Sequence, residues 1–230
     1  MNLAIIPARQ GSKRIPEKNI RLFKGRPIIA YSIEAALNCP FIDKVIVSTN
    51  DQKAADIAKS QGAEVPFIRP EEYSHDHATT WDVINHSLEW YKKEGSELTN
   101  ICCIYATAPF IQQASLEEGF QAICKTRYDY AFPVVRFQSP IQRALKREAD
   151  GSVSMLHPEH ADTRTQDLEP SYHDAGQFYW GKARAFKENK QFFGSNTYSI
   201  VLPEEQAQDI DTESDWKKAE RLHTFLEQQK

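Results

Sequence analysis

At 230 residues, with 40% apolar and 26% charged side chains and a formal net charge of −4, the chain has the size and balance of one globular domain with a substantial core. Its mild acidity, without a basic tail or a block of like charge, argues against nucleic acid or an anionic membrane surface as partner. No apolar run approaches the ~20 residues that cross a bilayer, and no charged leader with a cleavage site opens the chain, so the expectation is a cytoplasmic protein.

The apolar run Leu3 to Ile6 reads as a buried strand. It runs directly into a loop with Gly11 and Ser12 at its bend and four cations, Arg9, Lys13, Arg14 and Lys18, within ten residues. Gly11 permits backbone torsions that let amide groups converge on an anion, and the cations neutralise what the amides position. A buried strand ending in such a loop is how a parallel α/β sheet presents donors to phosphate. The plainer alternative is a solvated basic turn. Neither the Walker spacing nor the three-glycine dinucleotide fingerprint is present.

Pro27 is well placed to open a helix, in which Ile28, Ile29, Ile33, Ala36 and Leu37 fall at helical spacing. Asp43 to Asn50 is a second strand, and Asn50 or Asp51 caps a helix over Gln52 to Gln61 that Gly62 stops. Glu64 to Ile68 reads as a short strand leading to Arg69 and Pro70. Thr79 or Thr80 caps a helix that reaches Gly95, Asn100 to Ala108 is a strand, Ser115 to Thr126 a helix and Tyr130 to Phe137 a strand. This alternation implies an α/β fold with a mostly parallel sheet.

The rhythm breaks over Gln138 to Ser171, which is polar and charge-rich. A structureless stretch that long inside a compact domain points to a role: a projecting arm that pairs with a second subunit, or a surface excursion or lid. Strand character returns at Gln177 to Gly181 and at Tyr198 to Leu202, with a short helix between them. A last helix carries Trp216, Ala219, Leu222, Phe225 and Leu226 as one apolar stripe. The cysteines Cys39, Cys102, Cys103 and Cys124 show no metal or redox spacing. Cys102 and Cys103 must face opposite sides of a sheet.

Ahead of the last helix, Asp209-Ile210-Asp211 in extended chain turns both carboxylates one way and Ile210 to the core. Magnesium suits such sparse carboxylate ligation, with phosphate and water completing its shell. Alternatively Asp211 or Thr212 simply caps the helix.

The run Ile6-Pro7-Ala8-Arg9-Gln10-Gly11-Ser12-Lys13-Arg14-Ile15-Pro16-Glu17-Lys18-Asn19 resembles the I-P-A-R-x-G-S-K-R-x-P-x-K-N signature of cytidylyltransferases that activate nonulosonic acids with CTP. Gln10 departs from it where that family has a second glycine, and a positive φ there would strain the side chain. Asp209 to Asp215 is similar to the family's D-I-D-T-x-x-D, and Arg69-Pro70 through Asp76 to its R-P-x-x-x-x-x-D. Tyr105-Ala106-Thr107-Ala108-Pro109 stands where sialic-acid relatives carry Q-P-T-S-P. His173 to Trp180, Phe132 to Val135 and Pro140 to Leu145 resemble the pseudaminic acid cytidylyltransferase branch.

The resemblance spans nearly the whole chain. It implies a three-layer nucleotidyltransferase fold with a Rossmann-like sheet, a single domain over 1–230, an inserted dimerisation arm at 138–175, and a homodimer. It implies CMP transfer from CTP to pseudaminic acid with Mg2+ at Asp209 and Asp211, and catalytic roles for Arg9, Lys13, Lys18 and Asp211. Nucleotide contacts would come from Ala8, Arg9, Gly11, Ser12, Lys13, Lys18, Asn19, Arg69, Thr80 and Thr107. Sugar contacts would come from Gln142, Arg143, Gln166, Tyr179, Phe192 and Phe193. Alternatives are an N-acylneuraminate or ketodeoxyoctulosonate cytidylyltransferase, a nucleotide-binding regulator of the same fold without turnover, and a glycosyltransferase using the paired aspartates on a sugar nucleotide.

Overall fold

The computed structural model describes residues 1–125 and 127–228; Thr126, expected to end a helix, lies outside them. In chain order the strands and helices are β1 (Asn2–Pro7), β2 (Leu22–Phe23), β3 (Arg26–Pro27), α1 (Ile28–Leu37), β4 (Lys44–Ser48), α2 (Gln52–Ser60), α3 (Thr80–Lys93), β5 (Asn100–Ile104) and α4 (Gln113–Lys125). They continue with β6 (Tyr130–Arg136), β7 (Leu145–Arg147), β8 (Val153–Met155), β9 (Tyr172–Asp174), β10 (Phe178–Lys182), α5 (Ala183–Lys187), β11 (Thr197–Leu202) and α6 (Glu213–Glu227).

The main sheet has the order β11-β6-β10-β5-β1-β4, with β9 added on β6. β4, β1 and β5 run parallel, as do β6 and β11, whereas β10 runs against both β5 and β6 and β9 against β6. β1 lies between two partners and under helices on both faces, which is why its apolar run is unbroken from Leu3 to Ile6. Side chains alternate between the faces. Ala4 and Ile6 join Ile29, Ile33, Ala58, Leu116 and Ile123 of α1, α2 and α4, while Leu3 and Ile5 join Val83, Ile84, Leu88 and Phe186 of α3 and α5. Helix, sheet and helix therefore form three layers. Cys102 and Cys103 divide between the same two cores, as adjacent strand residues must.

A third cluster ties the two ends of the chain together. Ile15, Phe23 and Ile28 from the N-terminal segment pack with Phe110 and with Ile210, Trp216 and Ala219 at the start of α6. Phe23 meets Trp216 edge-on at 5.6 Å between ring centres. This contact carries the approach to α6 onto the loop after β1.

Several expected elements change. Residues 64–68 form no strand, only isolated bridges of Glu64 to Ile46 and Ile68 to Thr49, because Pro66 between them has no N–H to offer a ladder. The strand expected to reach Ala108 stops at Ile104, and Phe225 is half exposed while His223 packs edge-on against Phe23 at 5.4 Å. At about 100° per residue, Phe225 lies half a turn from Trp216, off the buried stripe.

The stretch after β6 is not structureless. The amide of Phe137 donates to Ser171 O, closing a loop that holds the β7–β8 hairpin and short turns, after which β9 rejoins the main sheet. Among the described residues β7 and β8 pair only with each other, and Leu145 and Val153 on them are exposed. Among the described residues no helix is long and apolar enough to cross a membrane.

Candidate active site

β1, β4 and β5 end at the same edge of the sheet, where an open α/β sheet offers its crevice. A cavity of about 460 Å³ lies there. Arg9, Ser12, Lys13, Lys18 and Asn19 line it from the loop after β1, Arg69 from the segment after β4, Thr80 from α3, Thr107 from beyond β5 and Asp211 from the approach to α6. All nine were expected from sequence to act at one site. Pro7, Arg14, Tyr73 and Tyr105 also line it.

The loop is fixed from behind. Thr49 Oγ1 donates to Ala8 O at 2.5 Å, the Gln10 amide donates to Asn50 Oδ1 at 2.8 Å, and Asn19 Nδ2 donates to Arg9 O at 3.0 Å. Gly11 has φ +88°, a torsion L side chains rarely adopt, so the glycine there is required by the turn. Gln10 is not among the residues with positive φ, so the departure from the family pattern is accommodated without strain. Ala8 is fully buried, and with Gly11 it lines a smaller cavity of about 260 Å³ beside Asp51 instead of the main crevice.

The cations meet two carboxylates. Arg9 Nη1 lies 2.6 Å from Asp76 Oδ1, and Lys13 pairs with the other oxygen of Asp76. The hydrogen bonds from Lys13 and then Arg9 hold the Asp76 carboxyl down at about 2. In the second group Arg14 Nη2 lies 2.8 Å from Asp211 Oδ2, and Lys18 Nζ donates to Ile210 O at 2.7 Å and reaches Asp211 Oδ1 at 3.3 Å. Thr212 and Asp215 form a capping box for α6, so Asp211 is not the cap and its carboxylate faces the crevice. The same holds at α3, where Thr79 and Asp82 cap the helix and leave the Thr80 hydroxyl to the site.

Asp209 does not line the cavity. It is exposed, close to Gly176, where an added Cβ would stand 3.9 Å from its Cγ. Desolvation by the surrounding chain, and then the charge of Asp211, raise its carboxyl above the usual range. The charge of Asp211 disfavours the ionised form of Asp209, a repulsion that a divalent cation would relieve. Among the described residues no group of three or more His, Cys, Asp or Glu could hold a metal, so phosphate and water would have to supply the remaining ligands, as magnesium tolerates.

Arg69 is 3% exposed, and no carboxylate among the described residues forms an ion pair with it. Its Nε donates to Ser74 Oγ at 3.1 Å, while Nη1 is buried without a partner. Burial, and then the charge of Arg9, lower this guanidinium to about 10. A buried donor left unpaired costs about 1–3 kcal/mol or more when charged, so the crevice is built to receive an acceptor there.

The expected sugar contacts divide. Tyr179, Phe192 and Phe193 join Phe132 in an aromatic patch next to the crevice, with Tyr105 5.2 Å from Tyr179 between ring centres. Gln142, Arg143 and Gln166 lie in the 138–171 segment and do not line the cavity. Arg143 Nη1 donates to Thr163 O at 3.0 Å, and Gln142 Nε2 donates to Glu169 O at 3.1 Å. The residues missed from sequence are Asp76, Arg14, Tyr73 and Tyr105. Asp76 carried a signal in its seven-residue spacing from Arg69, and Arg14 in its place among the loop cations.

The family model described as cytidylyltransferase matches residues 3–230. A pseudaminic acid cytidylyltransferase of Campylobacter jejuni is 38% identical over 222 residues, 96% of each chain. A CMP-N,N'-diacetyllegionaminic acid synthase of Legionella pneumophila is 32% identical over 231 residues, 96% of this chain and 95% of its own. Among solved structures, a CMP:2-keto-3-deoxy-manno-octonic acid synthetase complexed with CTP superposes with a TM-score of 0.71 over 97% of this chain and 98% of its own. At 16% identity that likeness speaks for the fold alone.

Proposed function

The chain belongs to the cytidylyltransferase family, and from that premise we propose that it transfers CMP from CTP to the anomeric hydroxyl of pseudaminic acid, giving CMP-pseudaminic acid and pyrophosphate. The observation that carries this reading is the junction of Lys18 with Ile210 and Asp211, which brings the loop cations and an aspartate to one crevice from opposite ends of the chain. The choice of acid is supported by identity: 38% to the pseudaminic acid relative against 32% to the legionaminic acid relative, each over nearly its whole length.

In this mechanism the sugar hydroxyl attacks the α-phosphorus in line and pyrophosphate leaves. Positioning and charge stabilisation do the work, so no covalent intermediate with the protein is needed. Arg9, Ser12, Lys13 and Lys18 bind the triphosphate, its oxygens competing with Asp76 and Asp211 for the same cations. Asn19 keeps the loop in shape through Arg9 O. Arg69, Thr80 and Thr107 hold the nucleoside, with the unpaired Nη1 of Arg69 as the buried donor. Ala8 and Gly11 act through the backbone of the turn. Asp209 and Asp211 would hold Mg2+, which supplies neutralisation of phosphate charge. Tyr179, Phe192 and Phe193 give the sugar's methyl and acetamido groups an apolar wall.

The working unit in this reading is a cytoplasmic homodimer of a single domain with an inserted arm. Exposed Leu145, Val153 and Leu156 provide the arm with an apolar face for a second copy, and Gln142, Arg143 and Gln166 would reach a sugar through that pairing. Incubation with CTP, Mg2+ and a panel of nonulosonic acids, read by pyrophosphate release and mass spectrometry, tests the reaction. The expected result is a CMP-sugar formed fastest from pseudaminic acid. Absence of any CMP-sugar across the panel refutes it.

A further inference from the structure

Tyr105 occupies an unusual place in the crevice. It follows the last residue of β5, and its backbone is held on both sides: its amide donates to Gln177 O at 2.8 Å, and its carbonyl accepts from Ser32 Oγ at 2.8 Å. These bonds fix the main chain from which the ring projects. At one end its hydroxyl lies 3.3 Å from Thr80 Oγ1, on the wall assigned to the nucleoside. On the other side it packs on Tyr179, whose hydroxyl donates to Asp174 Oδ2 at 2.8 Å. Asp174 is itself oriented by the amide of Gly176, 2.8 Å from its Oδ1.

Beyond Tyr179 the aromatic patch continues through Phe132 and Phe192 to Phe193, which is 63% exposed. Tyr105 lines the crevice and also touches this patch. The ring therefore stands at the boundary between crevice and patch, and in the reaction proposed above a sugar seated on the patch would lie beside it.

The chemistry of a tyrosine at that point differs from that of an amide. A glutamine side chain offers two donors and an acceptor to hydroxyl groups, whereas a tyrosine offers an apolar face and one hydroxyl, here already engaged by Thr80. A hydroxylated chain laid on the apolar face loses hydrogen bonds to water and regains few. Methyl and acylamino groups lose much less.

We infer that Tyr105 is a specificity-determining residue, its apolar face setting the preference for a nonulosonic acid that carries acylamino and methyl groups over one that carries a hydroxylated chain. The inference rests on the reaction proposed above. Thr80 and the Tyr179–Asp174 pair position the ring, and the ring discriminates.

The test compares kcat/KM for pseudaminic acid and for N-acetylneuraminic acid, together with KM for CTP, in the wild-type protein and in Tyr105→Gln and Tyr105→Phe. In Tyr105→Gln the ratio of the two acids should move toward N-acetylneuraminic acid by about tenfold or more, the scale of discrimination by a single pocket contact. KM for the acid should move more than KM for CTP. Tyr105→Phe should keep most of the preference, because the apolar face remains. A purely structural role predicts equal losses for both acids, and that result in Tyr105→Gln overturns the inference. Collapse of the preference in Tyr105→Phe overturns it as well. Wild-type protein that turns over neither acid removes the reaction itself, a different failure. Should Tyr105→Gln lack a cooperative thermal transition, Tyr105→His replaces it with the same expected shift and the same refuting result.

Discussion

The crevice and the 138–171 segment are both rich in charge, yet they are organised differently. At the crevice two functional residues adjoin buried apolar anchors: Ile15 is next to Arg14 and Ile210 next to Asp211, and both anchors share a core with Trp216 and Phe23. The arm has exposed residues along both strands of its hairpin, and its ion pairs are local, such as Lys146 with Glu148 and Arg164 with Asp167. Placing a charge to within a few tenths of an ångström takes a packed core behind it. A segment without one can keep its shape locally and still need a partner surface for a wider role.

The sharpest way to break that contrast is to remove the anchor. Trp216→Ala should destabilise the protein by ~3–5 kcal/mol, the range for a large aromatic lost from a core, and thermal or denaturant unfolding measures it. A loss under about 1 kcal/mol would show that the α6 contact does not hold the crevice together. Next in size is Lys18→Ala, which should raise the barrier by ~2–4 kcal/mol, read as kcat/KM with CTP and acid, since its ammonium links Ile210 and Asp211 to the phosphate site. Wild-type rates in that variant would remove Lys18 from the mechanism.

The arm should respond in the opposite sense. Leu145→Lys changes a side chain that is 58% exposed, so stability should stay within about 0.5 kcal/mol while mass by light scattering falls from dimer to monomer. A full dimer mass in that variant would argue against this face as the contact. The smallest effect concerns Asp76. Because its folded pKa is depressed to about 2, the stabilisation from its pairs is fully present above the carboxylate's ordinary value and is lost progressively as pH falls from there through about 2. A carboxyl titration by NMR should find that midpoint in the wild type and a clear rise in Lys13→Ala. An ordinary value in the wild type would mean that the Asp76 contacts do not persist in solution.

Much of the crevice was legible because its signals are local. A buried strand, a glycine bend and four close cations occupy one short stretch, and the Asp209-Ile210-Asp211 alternation sends Ile210 to the core, although of the two aspartates only Asp211 lines the cavity. Tyr105 was visible only as a departure from a motif, since its meaning lies in Thr80 and Tyr179, 25 and 74 residues away. Asp76 sat in a quoted pattern without a role, because nothing along the chain says that it closes on Arg9 and Lys13. The 64–68 strand was misread because β-branched and apolar residues outweighed Pro66, whose missing donor decides the ladder.

The sequence by itself determined the α/β rhythm, the parallel pairing at the heart of the sheet, the basic loop and the family. Those depend on periodicity, turn chemistry and short motifs, which act between near neighbours. Only the tertiary structure decided that β10 enters the sheet reversed, that Thr212 caps α6 and leaves Asp211 to face the crevice, and that Ile15 and Ile210 share one core. Strand direction and carboxylate placement are settled by which surfaces bury one another, and that choice is made across the whole chain at once.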